Sequence, residues 1–512
     1  MTGRADELLF TGSGWDFDMI RRVYDAVEEV AIGEMKLDIY PNRIEVITAE
    51  QMLDAYSSTG MPLFYKHWSF GKQVLANEML YRKGMRALAY ELVINSDPCI
   101  SYIMEENSAT MQTLVIAHAA FGHNHFFKNN YVFKQWTDAE GILDYLNFAK
   151  RYIMECEERH GQAAVERLID AAHALMHQGI HRSPRARPRD LKAEAAREAE
   201  RQAYQERVYN DLWRTLPRGA KQASARAEKR REALNLPQEN ILYFLEKTGP
   251  KLAPWQREIL RIIRLIAQYF YPQRQTKMMN EGAATWCHYR IMTTLHERGR
   301  LTDGAFMEFL QSHTNAIHQP AFDSGHFSGL NPYALGFGIM QDIARICTAP
   351  TEEDRVWFPE IAGTGDPDGV LKHIWANYRD ESFVAQYLSP HLIRRWRLFK
   401  LDDKEATPEL RVDAIHNERG YREIRHALAR HYDIGWEEPD IQVVDVDLAG
   451  DRKLILEHRV NNGVLLAESD ADKVLQHMAD LWGYDVCLNE IDPESGKTLK
   501  QHRAQPHSPS PG

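Results

Sequence analysis

The sequence predicts a mainly α protein with a small sheet in its N-terminal half, an α+β fold, followed by a small C-terminal domain of order βββαβ. Long helical periodicity predicts the first feature, in "LAPWQREILRIIRLIAQYFYPQRQTKMMNEGAATWCHYRIMTTLHERG". The sheet is predicted by "RIEVIT" and by "ALAYELVINSDPCISYIMEEN", rich in β-branched and aromatic residues and broken by an Asn-Ser-Asp-Pro turn. From about Asp440 the pattern changes to alternation, in "DIQVVDVDL", "KLILEHRV", "GVLLAES" and "YDVCLNEID", with a helical "DADKVLQHMADLWG" before the last of these.

Taken in order, residues 14–180 are the N-terminal part of the main α+β domain. Its sheet ends at Asn107, and Ser108 can cap a helix on which Met111, Leu114, Val115 and Ala119 repeat at helical spacing. Residues 181–236 read as a charged helical insert, dominated by Arg, Ala and Glu behind a Pro-rich entry. Residues 237–400 form the helical second part. Pro254 opens its long helix, Pro272 interrupts it and Gly299 follows its end; a glycine-rich loop from Ala321 then feeds a helix behind Pro332. Residues 401–496 make the small C-terminal domain, and the polar, Pro-rich stretch 497–512 reads as a disordered tail.

At 512 residues the chain is long enough for more than one core. Its five cysteines are scattered and never form a CxxC pair, which argues against a disulfide framework and a zinc ribbon and fits a reducing, cytoplasmic setting. Neither a signal peptide nor an apolar run of membrane-spanning length is present. A net charge of −11 makes nucleic acid an unsuitable partner for the whole molecule. P-loop, GxSxG, kinase and Rossmann signatures are absent.

Candidate chemistry lies in "TLVIAHAAFGHNHFFKNN", which carries His118, His123 and His125. On a regular helix His118 and His125 stand about 20° apart, whereas His123 is displaced by about 140°. A π-bulge or an early helix end at Gly122 would instead bring His118 and His123 together. A second segment, "MMNEGAATWCHYRIM", places Glu281 and His288 at i, i+7. If the two helices are packed neighbours, His118, His123 or His125 with Glu281 and His288 can hold a divalent zinc or iron ion. The layout is similar to that of zinc hydrolases, but no HExxH occurs, so Glu105 or Glu106 at the strand end is the nearest candidate base. His326 and Asn331 in the glycine-rich loop, together with His67, Lys128, Asn129 and Asn130, can complete a cleft.

The blocks "HWSFGK", "AHAAFGHNHFFKNNYVF", "ILYFLEK" with "PWQREILRIIR", "NPYALGFGIMQDI" and "DESFVAQYLSPHLIRRWRLF" occur in this order. Together they resemble the bacterial SpoVR-like family, named for stage V sporulation protein R, across most of Gly14 to about Asp492. Relatives usually carry Trp where this chain has Ala283. The resemblance implies a role in spore-cortex formation or, in bacteria without spores, in stationary-phase or stress physiology. It also implies partnership with an AAA-type serine protein kinase resembling PrkA and a further co-encoded protein. No reaction comes with the family; the expectation of a metal-assisted hydrolase or ligase acting on amide bonds rests on the His and Glu spacing. The rival expectation is a non-catalytic regulatory or assembly protein acting with that kinase.

Overall fold

The strands expected ahead of the His-rich helix form one three-stranded sheet of order β1-β3-β2. Here β1 is Asn42–Ile47, β2 is Glu91–Ile94 and β3 is Cys99–Met104. β1 runs parallel to the central β3 and β2 antiparallel to it, Glu91 facing Ile103 in the register. The computed structural model describes residues 7–57, 65–69, 91–182, 234, 236–321, 324–325, 327, 329–402, 411–447, 450–461 and 463–507. The charged insert falls outside the described residues apart from 181, 182, 234 and 236.

The chain divides into two units, each built from two stretches: Met1–Arg151 with Pro272–Asp433, and Tyr152–Tyr271 with Ile434–Gly512. This division cuts across the linear blocks read from the sequence. In particular, most of the long helix α4 (Pro254–Gln275) belongs to the second unit although the segment after Pro272 belongs to the first.

In the first unit, helix α1 (Phe17–Glu28) buries Met19, Ile20, Val23, Ala26 and Val27, one stripe at helical spacing. Ser108 caps α2 (Ala109–Val115) by accepting from Met111 N, as expected. The chain then passes through a π-helix, Ile116–His123, into α3 (Asn124–Asn129). Helix α5 (Lys277–Glu297) is central: Met278, Met279, Ala283, Trp286, Cys287, Ile291, Met292 and Leu295 are buried around it rather than along one stripe. Its first turn is fixed by the buried Asp380 on α8 (Asp380–Tyr387), which accepts from Met278 N and Met279 N at 2.8 Å each. Against α5 pack the π-helix, α6 (Asp303–Ala316) and α7 (Pro332–Thr348).

The far end of α7 is tied down by ionic contacts. Arg345 donates to both oxygens of Asp354 at 2.6 and 2.9 Å, and the Thr351 hydroxyl and backbone N–H donate to Asp354 Oδ2 at 2.7 and 2.8 Å. Burial alone would raise the Asp354 carboxyl, but Arg345 and Thr351 hold it down at about 2. A depressed folded value means a stabilisation that is present above the ordinary carboxylate range and lost as pH falls through about 2. Asp354→Asn is therefore expected to cost about 2 kcal/mol near neutral pH, a penalty that shrinks as the wild type is titrated towards acid, measurable as denaturation midpoints across pH.

A short ribbon of β4 (Lys400–Asp402) and β5 (Arg411–Ala414) completes this unit. The second unit holds a four-stranded sheet of order β6-β7-β8-β9: Asp440–Val446, Leu454–Arg459, Val486–Ile491 and Thr498–Ala504. Helix α9 (Glu468–Trp482) crosses between the parallel strands β7 and β8. The domain is α+β as expected, but its order is ββαββ. "GVLLAES" is not a strand; Val464 and Leu465 are exposed on the approach to α9. The fourth strand comes instead from the stretch expected to be a disordered tail, where Thr498–Ala504 pairs antiparallel with β8. Its inward residues are His502 and Ala504, and the imidazole is satisfied by the buried Glu490 at 2.9 Å. A polar residue on the buried face hid the alternation. All five cysteines are buried and unpaired, and among the described residues no helix is long and apolar enough to cross a membrane.

Candidate metal centre

The π-helix decides which histidines meet. Each N–H in such a helix reaches back five residues rather than four, so residues five apart share a face. The rings of His118 and His123 accordingly stand 4.6 Å apart, edge to face. The same widening breaks the seven-residue relation between His118 and His125. His125 turns away from the cluster and its Nδ1 takes the Asp38 N–H at 3.0 Å, which corrects the expectation that it could serve as a ligand.

Small residues then let α5 close on this face. A methyl group at Gly122 would lie 2.6 Å from Ala284 Cα, so the two backbones touch. One turn earlier on α5, Glu281 Oε2 lies 3.7 Å from His118 Nε2 and 3.6 Å from His123 Nε2. From the sheet, Glu91 Oε1 lies 3.7 Å from His118 Nε2. Ligand atoms of Glu91, His118 and His123 all fall within 4.8 Å of one another. The imidazoles are buried, with side chains 5% and 9% exposed, and Glu91 and Glu281 keep 19% and 18%.

These separations are too long for hydrogen bonds, and Glu281 Oε2 is a buried acceptor with no hydrogen-bond donor. They suit a shared ion better. Ligand atoms around a tetrahedral cation with bonds of about 2.0–2.2 Å stand about 3.3–3.6 Å apart. The remaining imidazole nitrogens are braced from behind, His123 Nδ1 by Asn280 Oδ1 at 2.9 Å and His118 Nδ1 by His288 Nδ1 at 2.9 Å. Glu91, His118 and His123 therefore fit a divalent cation by donor type and by spacing, and Glu281 lies within 3.7 Å of both imidazoles.

Burial opposes the charged form of His118, but Glu281 and Glu91 outweigh it and raise its pKa. His123 is pushed down to about 4 by burial and by the neighbouring His118. Burial together with His118 and the other rings lowers His288 as well. Burial lifts Glu91, whereas at Glu281 it is outweighed by the two imidazoles and by a hydrogen bond from Tyr333, leaving that carboxyl lowered. Two carboxyl groups beside one pair of histidines are thus driven in opposite directions.

Of the residues expected from sequence, His118, His123 and Glu281 come together. His288 joins them on the same face of α5 but stands behind His118, with Nδ1 and Nε2 engaged by His118 and His313 at 2.9 Å each, so both of its ring nitrogens are occupied. Glu105 and Glu106 are exposed at the end of β3, where Glu106 accepts from Ala49 N at 3.2 Å. The carboxylate that reaches the imidazoles is Glu91, on the adjacent strand. Asn331 caps α7, accepting from Tyr333 N at 3.0 Å and donating to Ala316 O at 2.8 Å. His326 lies outside the described residues. Lys128 and Asn129 bind Asp38, Asn130 holds the Trp375 and Tyr378 carbonyls, and His67 contacts the Ser69 hydroxyl.

Sequence reasoning missed Glu91, Asn280, His313 and Tyr333. Two of them left a signal. Glu91 is an acid opening the apolar run "ELVI" against a strand buried on both faces. His313 continues the buried i, i+4 stripe of Ala305 and Phe309 on α6, a place where an apolar residue is the default.

The chain belongs to the SpoVR-like family of proteins. Residues 14–437 match the family described as SpoVR like protein, and residues 439–493 match the SpoVR-like C-terminal domain. The chain is 51% identical over 498 residues to the uncharacterized protein YcgB of Escherichia coli strain K12, covering 97% of this chain and 96% of that one. No solved structure matches.

Proposed function

We propose that this chain is a metal-dependent enzyme acting on amide bonds, hydrolysing or forming them, in stationary-phase, stress or spore-cortex physiology. The observation that supports it is the convergence of two buried imidazole Nε2 atoms and Glu281 Oε2 at 3.6–3.7 Å without hydrogen bonds, with Glu91 beside them. His118, His123 and a carboxylate would hold the ion, zinc or iron by donor type. Such an ion supplies Lewis-acid polarisation of a carbonyl and a water acidic enough to react near neutral pH. Glu281 contributes negative charge beside both imidazoles. Glu91, 3.7 Å from His118, would take a proton from a nucleophile and return it to a leaving amine.

A second reading is a regulatory or assembly protein working with the PrkA-like kinase. It is favoured by the His118, His288 and His313 rings, which are joined by 2.9 Å contacts and could serve to hold the core in register. The two readings separate on protein purified without a histidine tag. The enzyme reading expects about one equivalent of zinc or iron per chain by elemental analysis. It also expects amine release from peptidoglycan peptides that stops on chelation and returns on reloading. Metal-free protein that remains fully folded would favour the regulatory reading.

A further inference from the structure

A neutral imidazole binds a cation only through an unprotonated nitrogen. If His118 presents Nε2 to an ion, its single proton must sit on Nδ1. That atom is 2.9 Å from His288 Nδ1, so His288 Nδ1 must be the acceptor and the His288 proton lies on Nε2. His288 Nε2 is in turn 2.9 Å from His313 Nδ1, which must accept, leaving the His313 proton on Nε2. The three rings share one alternating set of tautomers. The reversed set is hydrogen-bonded equally well between the rings, but it puts a proton on His118 Nε2 and closes that nitrogen to metal.

We propose that His313 is a positioning residue of the metal centre. It lies on α6, two rings removed from the ion, and by accepting from His288 it selects the set in which His118 can ligate. This rests on the metal-centre reading above. Aromatic side chains confine the His313 ring, with Tyr289, Phe309 and Phe337 packed on it at centroid distances of 5.2, 5.6 and 5.0 Å. Those walls hold the plane of the ring while its Nδ1 stays aimed at His288. Support from behind a ligating histidine is typically worth about 10–100-fold in metal affinity.

The test compares zinc affinity, by chelator competition, in full-length untagged wild type, His313→Leu, His313→Gln and a His118→Ala control. Leucine offers no acceptor and leaves the buried His288 N–H unpaired, so affinity is expected to fall by about tenfold or more. The glutamine carbonyl can still accept, so His313→Gln is expected to stay close to wild type. Equal affinity in wild type and His313→Leu, or equal losses in the leucine and glutamine variants with matched unfolding midpoints of the zinc-free proteins, overturns the proposal while leaving the metal centre intact. Unchanged zinc binding in His118→Ala overturns the metal centre and the proposal together. Nitrogen-15 spectra of the zinc-bound wild type give a check that needs no variant: protons are expected on His118 Nδ1, His288 Nε2 and His313 Nε2, and any other assignment refutes the tautomer chain.

Discussion

His118→Ala and Glu281→Gln, made one at a time, are each expected to weaken divalent-metal binding by roughly two orders of magnitude. Binding free energies of about 10–16 kcal/mol for four-ligand protein sites imply about 3 kcal/mol per ligand, which is about a hundredfold in affinity. The two variants should differ in stability without metal. His118→Ala opens a void where the imidazole is buried and removes the 2.9 Å contact to His288, so the metal-free protein loses stability. Glu281→Gln keeps the shape and opens no void, so the metal-free fold is expected to lose only the pH-dependent stability that the two imidazoles give this carboxylate. Elemental analysis and chelator competition read the first quantity and denaturant unfolding the second. A Glu281→Gln protein that retains a full equivalent of tightly held metal would remove Glu281 from the site.

The other large effect is expected at Gly336→Ala. A methyl group there would fall on the Met278 carbonyl oxygen and stand 3.1 Å from Gly282 Cα, both backbone atoms of α5 that cannot move aside as a flexible side chain can. Either α7 or α5 must shift along a contact lined by Met278, Met279 and Phe337, all buried. Overpacking of this kind costs about 1–3 kcal/mol, and the upper part of that range is expected because the obstacle is main chain. The displacement also reaches the site, since α5 carries Glu281 and His288 and α7 carries Tyr333. Urea midpoints and metal affinity should therefore fall together. Gly336→Ala with wild-type values of both would mean that the two helices are not held as closely as the packing shows.

Much of the architecture was legible because local rules agree with the tertiary result. Ser108 has the side chain an N-cap needs, Pro332 the fixed φ of a first helical turn, and "RIEVIT" the β-branched content of a strand. Where a polar residue sits on a buried face, the pattern misled. His502 disguised β9 as part of a tail, and the exposed Val464 and Leu465 imitated a strand.

The candidate site was legible to a lesser degree. The identity of the donor residues is written in the chain: three histidines around Gly122, and Glu281 and His288 on one helical face. Which of them meet is a question of helical phase, and that phase changes at Ile116–His123, where the π-helix exchanges His125 for His123. A π-turn is not favoured by local propensity; here Gly122 lies directly against Ala284 on a helix some 160 positions away in the chain, as the close approach of the two backbones shows.

By itself, then, the sequence determined the family, the helical class and the inventory of imidazoles and carboxylates, because these depend on residue type and near-neighbour spacing. Only the tertiary structure decided that Glu91 rather than Glu105 or Glu106 faces the histidines, that His288 stands behind His118, and that His313 stands behind His288. Those are distances between separate strands and helices, set by how closely small residues let main chains approach, and no local periodicity encodes them.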